Sequence, residues 1–294
     1  MRLFHLFAIA TLLVAACSVA PDAGPAPGEP GSVPAEDYEV TLTRILQAVV
    51  SPGGLVDYGR IREEFELEFD SVLAAVQQYD PTSLTSDEEK KAFLINAYNV
   101  MVLEVLRNAP EVQNIEFDQR FEELFQTPFR IAGLNMTLNQ LENGILRSQN
   151  VVDGLELPEG LRALRPLELD PRIHVGLNCG AVSCPVLQSE AFSSSTIDDV
   201  LDEALTVFVN SERFARVTGA ELVLSSIVDW FGEDFDSTGI PAGDYLLAPM
   251  VPTRPGYQTL VGVLQGNDAD AIRQVIAGEP TYRFDYDWTV NRLN

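Results

Sequence analysis

KKAFLINAYNVMVLEVL, residues 90–106, is the stretch that decides the fold of this 294-residue chain. Ser86 precedes it as a helix N-cap, and Glu89 three residues later completes a capping box. From Phe93 to Leu103 the sequence is apolar nearly all round, which is typical of a helix that is buried on every side. We therefore predict a central buried helix.

Helices and hairpins of unequal spacing flank this helix. Hydrophobic periodicity predicts helices over residues 38–50, 61–78 and 197–210. Turn residues between alternating stretches predict hairpins over residues 129–138 and 214–224. This mixture favours an α+β fold, a single globular domain in which the buried central helix packs on a small mixed or antiparallel sheet.

Three shorter segments bear on the site. Residues 138–147, capped by Thr137 with Gln140, predict a helix that carries Glu142 in an apolar setting. Residues 172–178 alternate apolar and polar side chains, so we predict a strand with its polar residues on one face. Residues 282–290 predict a strand whose aromatic face is buried in the core.

The first 36 residues are expected to lie outside the folded domain. Residues 1–16 have a positive start and an apolar run, which is typical of a secretory signal, and they lead into a segment that resembles a lipoprotein box with Cys17 as the lipidated residue. An ordinary signal peptide cleaved near Ala20 is the alternative. Residues 17–36 are rich in Pro, Ala and Gly and predict a tether, and residues 37–294 form the predicted domain. We expect an exported protein, lipid-anchored in the outer membrane and facing the periplasm.

The charge balance limits the partners of this protein. The formal net charge is −25 at pH 7, so nucleic acid and anionic membrane surfaces would be repelled. We therefore expect contact with the bilayer only through the lipid anchor, and a small molecule or peptide as ligand. The sequence contains no Gly-rich phosphate loop, and we predict no cofactor.

Beyond Cys17, the chain contains a single histidine and two cysteines, all within residues 174–184. An exported protein is exposed to oxidation, so a structural disulfide between Cys179 and Cys184 is one hypothesis. It would shape the short loop between the two cysteines. With both sulfurs bonded, Ser183 would be the remaining candidate nucleophile.

A second hypothesis is nucleophilic catalysis at this stretch. Cys179 or Cys184 would supply a thiolate and His174 the base. Asn178, Asn96 or Asn99 would orient the imidazole or hold an oxyanion; these three amides are the candidates for that role. This combination of Cys, His and Asn resembles the catalytic residues of papain-like hydrolases and transferases. Only the folded geometry decides whether the three side chains lie close enough to react together.

Two further hypotheses use the same residues differently. A zinc site could combine His174, Cys179 and Cys184 with Glu142, although the four-residue gap between the cysteines is a marginal spacing and we predict no metal. A binding pocket without catalysis is the other hypothesis. Its polar lining would be Glu142, Arg147, Arg172, His174, Asn96 and Asn99.

Several blocks together resemble the domain of unknown function 547 family. They are residues 92–99, 141–147, 170–174, 177–185, 224–231 and 286–288, and they span about 200 residues in the expected order. The family name carries no activity. The resemblance includes one departure, because many relatives have His after the glutamate where this chain has Asn143.

The sequence thus predicts an envelope protein with a polar pocket around His174. A hydrolase or acyl transferase that uses His174, Cys179, Cys184 and Glu142 is the leading hypothesis. The alternative is a ligand- or partner-binding lipoprotein whose two cysteines form a structural disulfide.

Overall fold

The central helix forms where the sequence predicts it, over Asp87–Arg107. The Ser86 hydroxyl accepts a hydrogen bond from the Glu89 N–H at 3.2 Å, and the Glu89 carboxylate accepts one from the Ser86 N–H at 3.0 Å. Every residue from Lys91 to Leu103 is buried. The capping box and the apolar surface on all sides therefore place this helix in the hydrophobic core, as predicted.

The computed structural model describes residues 35–116, 124–209, 211–218, 221–232, 234 and 281–293, all in one compact unit. The signal segment, Cys17 and most of the tether lie outside the described residues. The helices are α1 (Ala35–Val49), α2 (Tyr58–Glu64), α3 (Glu66–Gln78), α4 (Asp87–Arg107), α5 (Glu159–Arg162), α6 (Ile173–Gly176), α7 (Ile197–Val209) and α8 (Ser226–Trp230), with a 3-10 turn at Pro81–Ser83 and a π-helix at Gln140–Leu146. The strands are β1 (Phe129–Ile131), β2 (Leu134–Met136), β3 (Val151–Val152), β4 (Leu155–Glu156), β5 (Ala215–Thr218), β6 (Glu221–Ser225) and β7 (Thr281–Asp285).

Helices supply the main neighbours of α4. It packs against α2, α3, the π-helix, α6 and α7. The helix predicted over residues 61–78 is two helices, because the chain leaves helical geometry at Phe65 between α2 and α3. In the part of the chain that the structure describes, none of the helices has the length and apolar character needed to span a bilayer.

The strands form three small sheets. β1 pairs antiparallel with β2 through a turn at Ala132 and Gly133, where both φ angles are positive. β3 and β4 form a second antiparallel hairpin. In the third sheet β6 pairs antiparallel with β5 and parallel with β7. The α+β class and both predicted hairpins are therefore confirmed.

The strand predicted over residues 172–178 is wrong, because Ile173–Gly176 is a single helical turn, α6. The Asp170 carboxylate accepts a hydrogen bond from the Arg172 N–H at 3.0 Å, and Pro171 precedes the turn with a φ suited to a helix start. Local helix-start signals therefore outweigh the alternation, and His174 and Asn178 do not share a strand face.

The aromatic strand predicted over residues 282–290 is shorter than expected. β7 ends at Asp285, and Tyr286 and Trp288 follow it outside the sheet. There the backbone pairs with the loop that carries the cysteines, through the Val182 N–H to the Thr289 carbonyl and an antiparallel bridge between Ala181 and Val290. The tail thus helps to build the site as well as the core.

Candidate functional site

A cavity of about 230 Å³ brings together residues that lie far apart in the chain. α4 contributes Tyr98, the π-helix Glu142, and α6 His174. The described residues that line it are Tyr98, Phe125, Asn139, Glu142, Asn143, His174, Leu177, Cys179, Cys184, Pro185, Ile227, Trp230, Phe231, Tyr286 and Trp288. All four predicted catalytic residues therefore line one cavity, although their predicted roles stay predictions.

Glu142 is placed by the start of its helix. The Thr137 hydroxyl accepts from the Gln140 N–H, and the Gln140 side chain accepts from the Thr137 N–H, both at 3.0 Å, which is the predicted cap. Burial raises the pKa of the Glu142 carboxyl group to about 7, against hydrogen bonding from Tyr98 and the charge of Arg147, which lower it. A carboxyl group with such a pKa can donate or accept a proton near neutral pH.

His174 is held by a buried carboxylate that the sequence analysis missed. Its Nε2 lies 2.7 Å from Oδ2 of Asp234, and the ring stacks on Phe231 with centroids 3.9 Å apart. Burial lowers the pKa of His174 despite the opposing effect of Asp234, so the neutral imidazole is favoured. Arg147 also donates to Asp234, through Nε and through Nη2, the latter at 3.0 Å.

These contacts form a buried polar group at the cavity wall. Burial opposes ionisation of Asp234, but hydrogen bonds from His174 and Arg147 outweigh it and lower the pKa of this carboxyl group. The guanidinium of Arg147 lies over the Phe231 ring, 5.0 Å from its centroid. Asp234 therefore fixes the orientation of His174, while burial and the positive charge of Arg147 keep the imidazole neutral.

The Cys184 sulfur is surrounded by hydrogen-bond donors. The Cys179 N–H points at it from 2.9 Å, the Tyr286 hydroxyl from 3.2 Å, and the Cys179 sulfur lies 2.6 Å away. Burial alone would raise the pKa of the Cys184 thiol, but these hydrogen bonds outweigh it and lower the pKa. The hydrogen bond to Cys184, together with burial, raises the pKa of Cys179.

The loop that carries both cysteines is rigidly anchored. The Asn178 amide donates to the Pro185 carbonyl at 2.7 Å and its oxygen accepts from the Gly180 N–H at 2.9 Å. Gly180 has a φ of +86°, and a Cβ there would lie 2.3 Å from Cδ1 of Leu106. Glycine is therefore required by both backbone conformation and space.

An aromatic wall closes one side of the cavity. Trp230 lies 4.9 Å from Tyr286 and 5.5 Å from Trp288, measured between ring centroids. Trp230 remains 42% exposed. Tyr286 and Trp288 were predicted as core, yet all three rings border the cavity, so they are available for contact with a ligand.

The two buried amides on α4 tie down neighbouring segments. Asn96 exchanges hydrogen bonds with the backbone of Phe192, at 2.8 and 2.9 Å. Asn99 donates to the Gly176 carbonyl at 2.9 Å and accepts from the Asn178 N–H at 2.8 Å. Both lie outside the described lining of the cavity, and Asn99 positions the backbone between His174 and Cys179.

The remaining predicted pocket residues also lie outside the described lining. Arg172 pairs with Asp170, Asp198 and Asp202 in an ion network. The Ser183 hydroxyl accepts from the Asp287 N–H at 2.8 Å. Arg147 acts behind the wall, as described above, and Asn178 shapes the cysteine loop.

Asn143, where many relatives have His, does line the cavity. Its amide donates to Asn139, and its oxygen accepts from Nη1 of Arg147. The asparagine therefore connects the cavity edge to the Arg147–Asp234 pair by hydrogen bonds alone.

The structure bears on both the disulfide hypothesis and the metal hypothesis. Both cysteines are free in the structure, so the predicted disulfide bond is not formed, although the two sulfur atoms lie 2.6 Å apart. Among the described residues, no group of three or more His, Cys, Asp or Glu side chains is placed to hold a metal ion.

The residues that sequence reasoning missed are Asp234, Trp230 and Phe231. The last two stand in a block already recognised as part of the family resemblance, and Asp234 follows it closely. An acidic residue after an aromatic block was therefore the available signal, but acidic residues are too common in this chain to mark one of them.

A family model described as "Protein of unknown function, DUF547" matches residues 81–209. The match supports the assignment of this segment to that family, and the segment contains α4, the π-helix, α6 and both cysteines. Asp234 and the aromatic wall lie beyond it. Comparison with curated proteins and with solved structures gave no match. The description of the family names no activity. A proposal for the function therefore rests on the chemistry of the residues that line the cavity.

Proposed function

We propose that this protein is a thiol-dependent acyl-transfer enzyme, a hydrolase or a transferase, with Cys184 as the nucleophile. The observation that carries this proposal is the set of donors around the Cys184 sulfur, in a cavity that Glu142 also lines. N–H, O–H and S–H donors stabilise a thiolate, which is the reactive form of cysteine.

The proposed reaction has two steps. The Cys184 thiolate attacks the carbonyl carbon of an ester, thioester or amide, and the resulting tetrahedral oxyanion collapses to a thioester on Cys184. The bond to the leaving group breaks as neutral Glu142 donates its proton to that group. Water or an acceptor alcohol or amine then attacks the thioester, Glu142 takes up its proton, and the Cys184 thiolate is released.

Glu142 suits the acid–base role better than His174 does. Its pKa of about 7 allows both protonation states near neutral pH. His174 is neutral and its Nε2 is engaged by Asp234. We assign His174 a positioning role, because its ring supports Phe231 in the wall of the cavity.

The charges around the cavity limit the class of substrate. Among the described residues that line it, the ionisable side chains are Glu142, His174, two cysteines and two tyrosines. None of these provides a permanent positive charge, and Arg147, behind the wall, is paired with Asp234. We therefore propose an uncharged or cationic acyl donor with an apolar part that contacts the aromatic wall.

Hydrolysis of p-nitrophenyl acetate by the full chain tests the proposal. We expect a burst of p-nitrophenolate and an acetyl group on Cys184, found by mass spectrometry of the digested protein. Cys184→Ser should lower the burst rate by about 100-fold or more. In the wild type the rate of deacylation should rise as the pH approaches 7, because ionised Glu142 takes up the proton of the attacking water, and Glu142→Gln should remove this pH dependence.

Ser183→Ala is the matched control, because it removes the neighbouring hydroxyl and keeps both sulfurs. It should retain the burst. A burst that survives Cys184→Ser and disappears in Ser183→Ala would overturn the proposal.

A binding protein without catalysis is the second candidate, and the 2.6 Å separation of the sulfurs favours it, because a disulfide there would remove the nucleophile. Thiol counting on the native protein separates the two. If peptides with Cys179 and Cys184 are both alkylated, the structural disulfide is excluded. The two tryptophans of the chain both border the cavity, so quenching of their fluorescence would report a bound ligand.

We also propose that the enzyme acts in the cell envelope, attached through lipidated Cys17 at the outer membrane. The signal-like residues 1–16 support this location. Cys17→Ala should abolish incorporation of labelled palmitate and release the protein from the membrane fraction, whereas Ser18→Ala should change neither.

A further inference from the structure

We infer that Cys179 is a resolving thiol, and that a low-molecular-weight disulfide reversibly converts the Cys179 and Cys184 pair into a disulfide that switches the site off. The inference rests on the proposed function of Cys184 as a nucleophile. It assigns the second cysteine of the cavity a regulatory role that acyl transfer itself does not require.

The geometry of the two sulfur atoms supports this switch. They lie 2.6 Å apart, whereas a disulfide bond measures about 2.05 Å, so closing the bond requires a shift of only about half an ångström. The loop between them is held by Asn178 and by backbone pairing with the C-terminal tail. This anchoring keeps the two thiols together in the reduced protein, so the entropic cost of bringing them together is already met by folding.

The two cysteines also differ in a way that suits the two roles. Cys184 accepts hydrogen bonds from the Cys179 N–H and the Tyr286 hydroxyl, so its thiolate is stabilised for attack. Cys179 is half-buried and Cys184 is buried, yet both line the cavity, which gives a small disulfide access to either sulfur. The hydroxyl of Tyr286 also lies 3.3 Å from the Cys179 sulfur and bridges the pair.

The exchange balances with glutathione disulfide as oxidant. The Cys184 thiolate attacks one sulfur of glutathione disulfide, forms a mixed disulfide and expels one glutathione thiolate. Cys179 loses its proton to solvent and attacks the Cys184 sulfur of the mixed disulfide, which forms the intramolecular bond and expels the second glutathione. In the reverse direction a glutathione thiolate attacks the Cys184 sulfur and expels Cys179, and a second glutathione thiolate then releases the Cys184 thiolate from the mixed disulfide.

Equilibration of the full chain with glutathione buffers tests the inference. After each buffer the free thiols are trapped with N-ethylmaleimide, and peptide mapping separates the label on Cys17 from that on the pair. After oxidising buffer we expect neither Cys179 nor Cys184 of the wild type to be labelled or to carry glutathione. After reduced glutathione is added, both cysteines should be labelled again. Cys179→Ser should instead keep one glutathione on Cys184, because its resolving thiol is missing.

Three outcomes would overturn the switch. The pair could keep both labels in the most oxidising buffer, Cys179→Ser could gain no glutathione, or the intramolecular disulfide could resist reduced glutathione, which would make it a structural bond. Ester hydrolysis measured on the same samples distinguishes failure of the redox switch from failure of the acyl-transfer proposal. Loss of the Cys184-dependent burst on oxidation supports the switch. Reversible oxidation in a protein whose reduced form has no such burst overturns the acyl-transfer proposal and leaves the redox pair standing.

Discussion

At the cavity wall, the Glu142 carboxyl group is shielded from water and hydrogen-bonded to the Tyr98 hydroxyl. Its pKa of about 7 lies above the ordinary value of 4.5, so the folded protein binds this proton more tightly than the unfolded chain does. Stability therefore falls as pH rises from about 4.5 to 7. At neutral pH the buried Glu142 carboxyl group therefore lowers the free energy of unfolding. Such a perturbed pKa is expected of a side chain that takes part in catalysis.

Glu142→Gln should remove this destabilisation of the folded protein. We expect the free energy of unfolding to rise by about 1–3 kcal/mol at pH 8 and to change little at pH 4, where the wild-type group is protonated in both states. Urea denaturation at the two pH values measures the difference. Glu203→Gln, at an exposed position on α7, is the control and should show no such dependence on pH. An equal effect of Glu142→Gln at both pH values would contradict the raised pKa.

Asp234 is the residue on which the buried polar group depends. Asp234→Asn keeps the shape of the side chain and removes the charge that pairs with Arg147. A buried charge that has lost its counter-charge costs about 3–5 kcal/mol, so we expect a loss of that order in the free energy of unfolding.

Thermal and urea denaturation measure this change. Asp229→Asn makes the same chemical change at an exposed site in α8 and should stay within about 0.5 kcal/mol of the wild type. If the two variants were equally stable, the pairing of Asp234 would have no energetic role.

At the scale of elements, the cysteine loop depends on one backbone conformation. Gly180→Ala places a methyl group 2.3 Å from Cδ1 of Leu106 and forces an L-residue to adopt a φ of +86°. Strain and crowding of this kind cost about 1–3 kcal/mol each, so we expect a fall of about 2–4 kcal/mol in the free energy of unfolding. Iodoacetamide labelling of Cys184 should also change its rate, because the loop positions the sulfur.

Gly160→Ala is the matched control, because a Cβ there meets no atom within 4 Å. Alanine is favoured over glycine in α5, so this variant should be as stable as the wild type or slightly more stable. If Gly180→Ala behaved in the same way, the loop would have another conformation in solution.

At the scale of the whole molecule, the formal net charge of −25 acts against compactness. Like charges on one surface repel each other, and salt screens that repulsion over distances of about 10 Å at 0.1 M. We expect the Tm to rise between roughly 0.01 M and 0.5 M NaCl. KCl should act equally, since screening depends on ionic strength. A Tm that falls with salt, or that rises with only one cation, would contradict simple screening.

The sequence by itself determined the elements whose signals are local. The Ser86 and Glu89 capping box and the apolar surface that follows placed α4, since both signals lie within a few turns of the chain. Turn residues placed two hairpins in the same way. The stretch 174–184 was identified because histidine and cysteine are so rare in this chain.

Local signals failed where two of them competed. Alternation over residues 172–178 predicted a strand, but the start signal at Asp170 and Pro171 produced a helical turn. In so short a segment the alternation of apolar and polar residues is a weak signal. The hydrogen bonds that begin a helical turn stabilise the chain more than this alternation does. The predicted face shared by His174 and Asn178 was lost with the strand.

Only the tertiary structure decided which distant side chains complete the site. Asp234 lies 60 positions from His174, and Tyr286 lies 102 positions from Cys184, yet each meets its partner in the cavity wall. No local propensity distinguishes these residues from other acids and aromatics of the chain. Their contacts exist because the packing of α8 and the C-terminal tail removes water from the cavity wall, so that buried polar groups must be satisfied by one another.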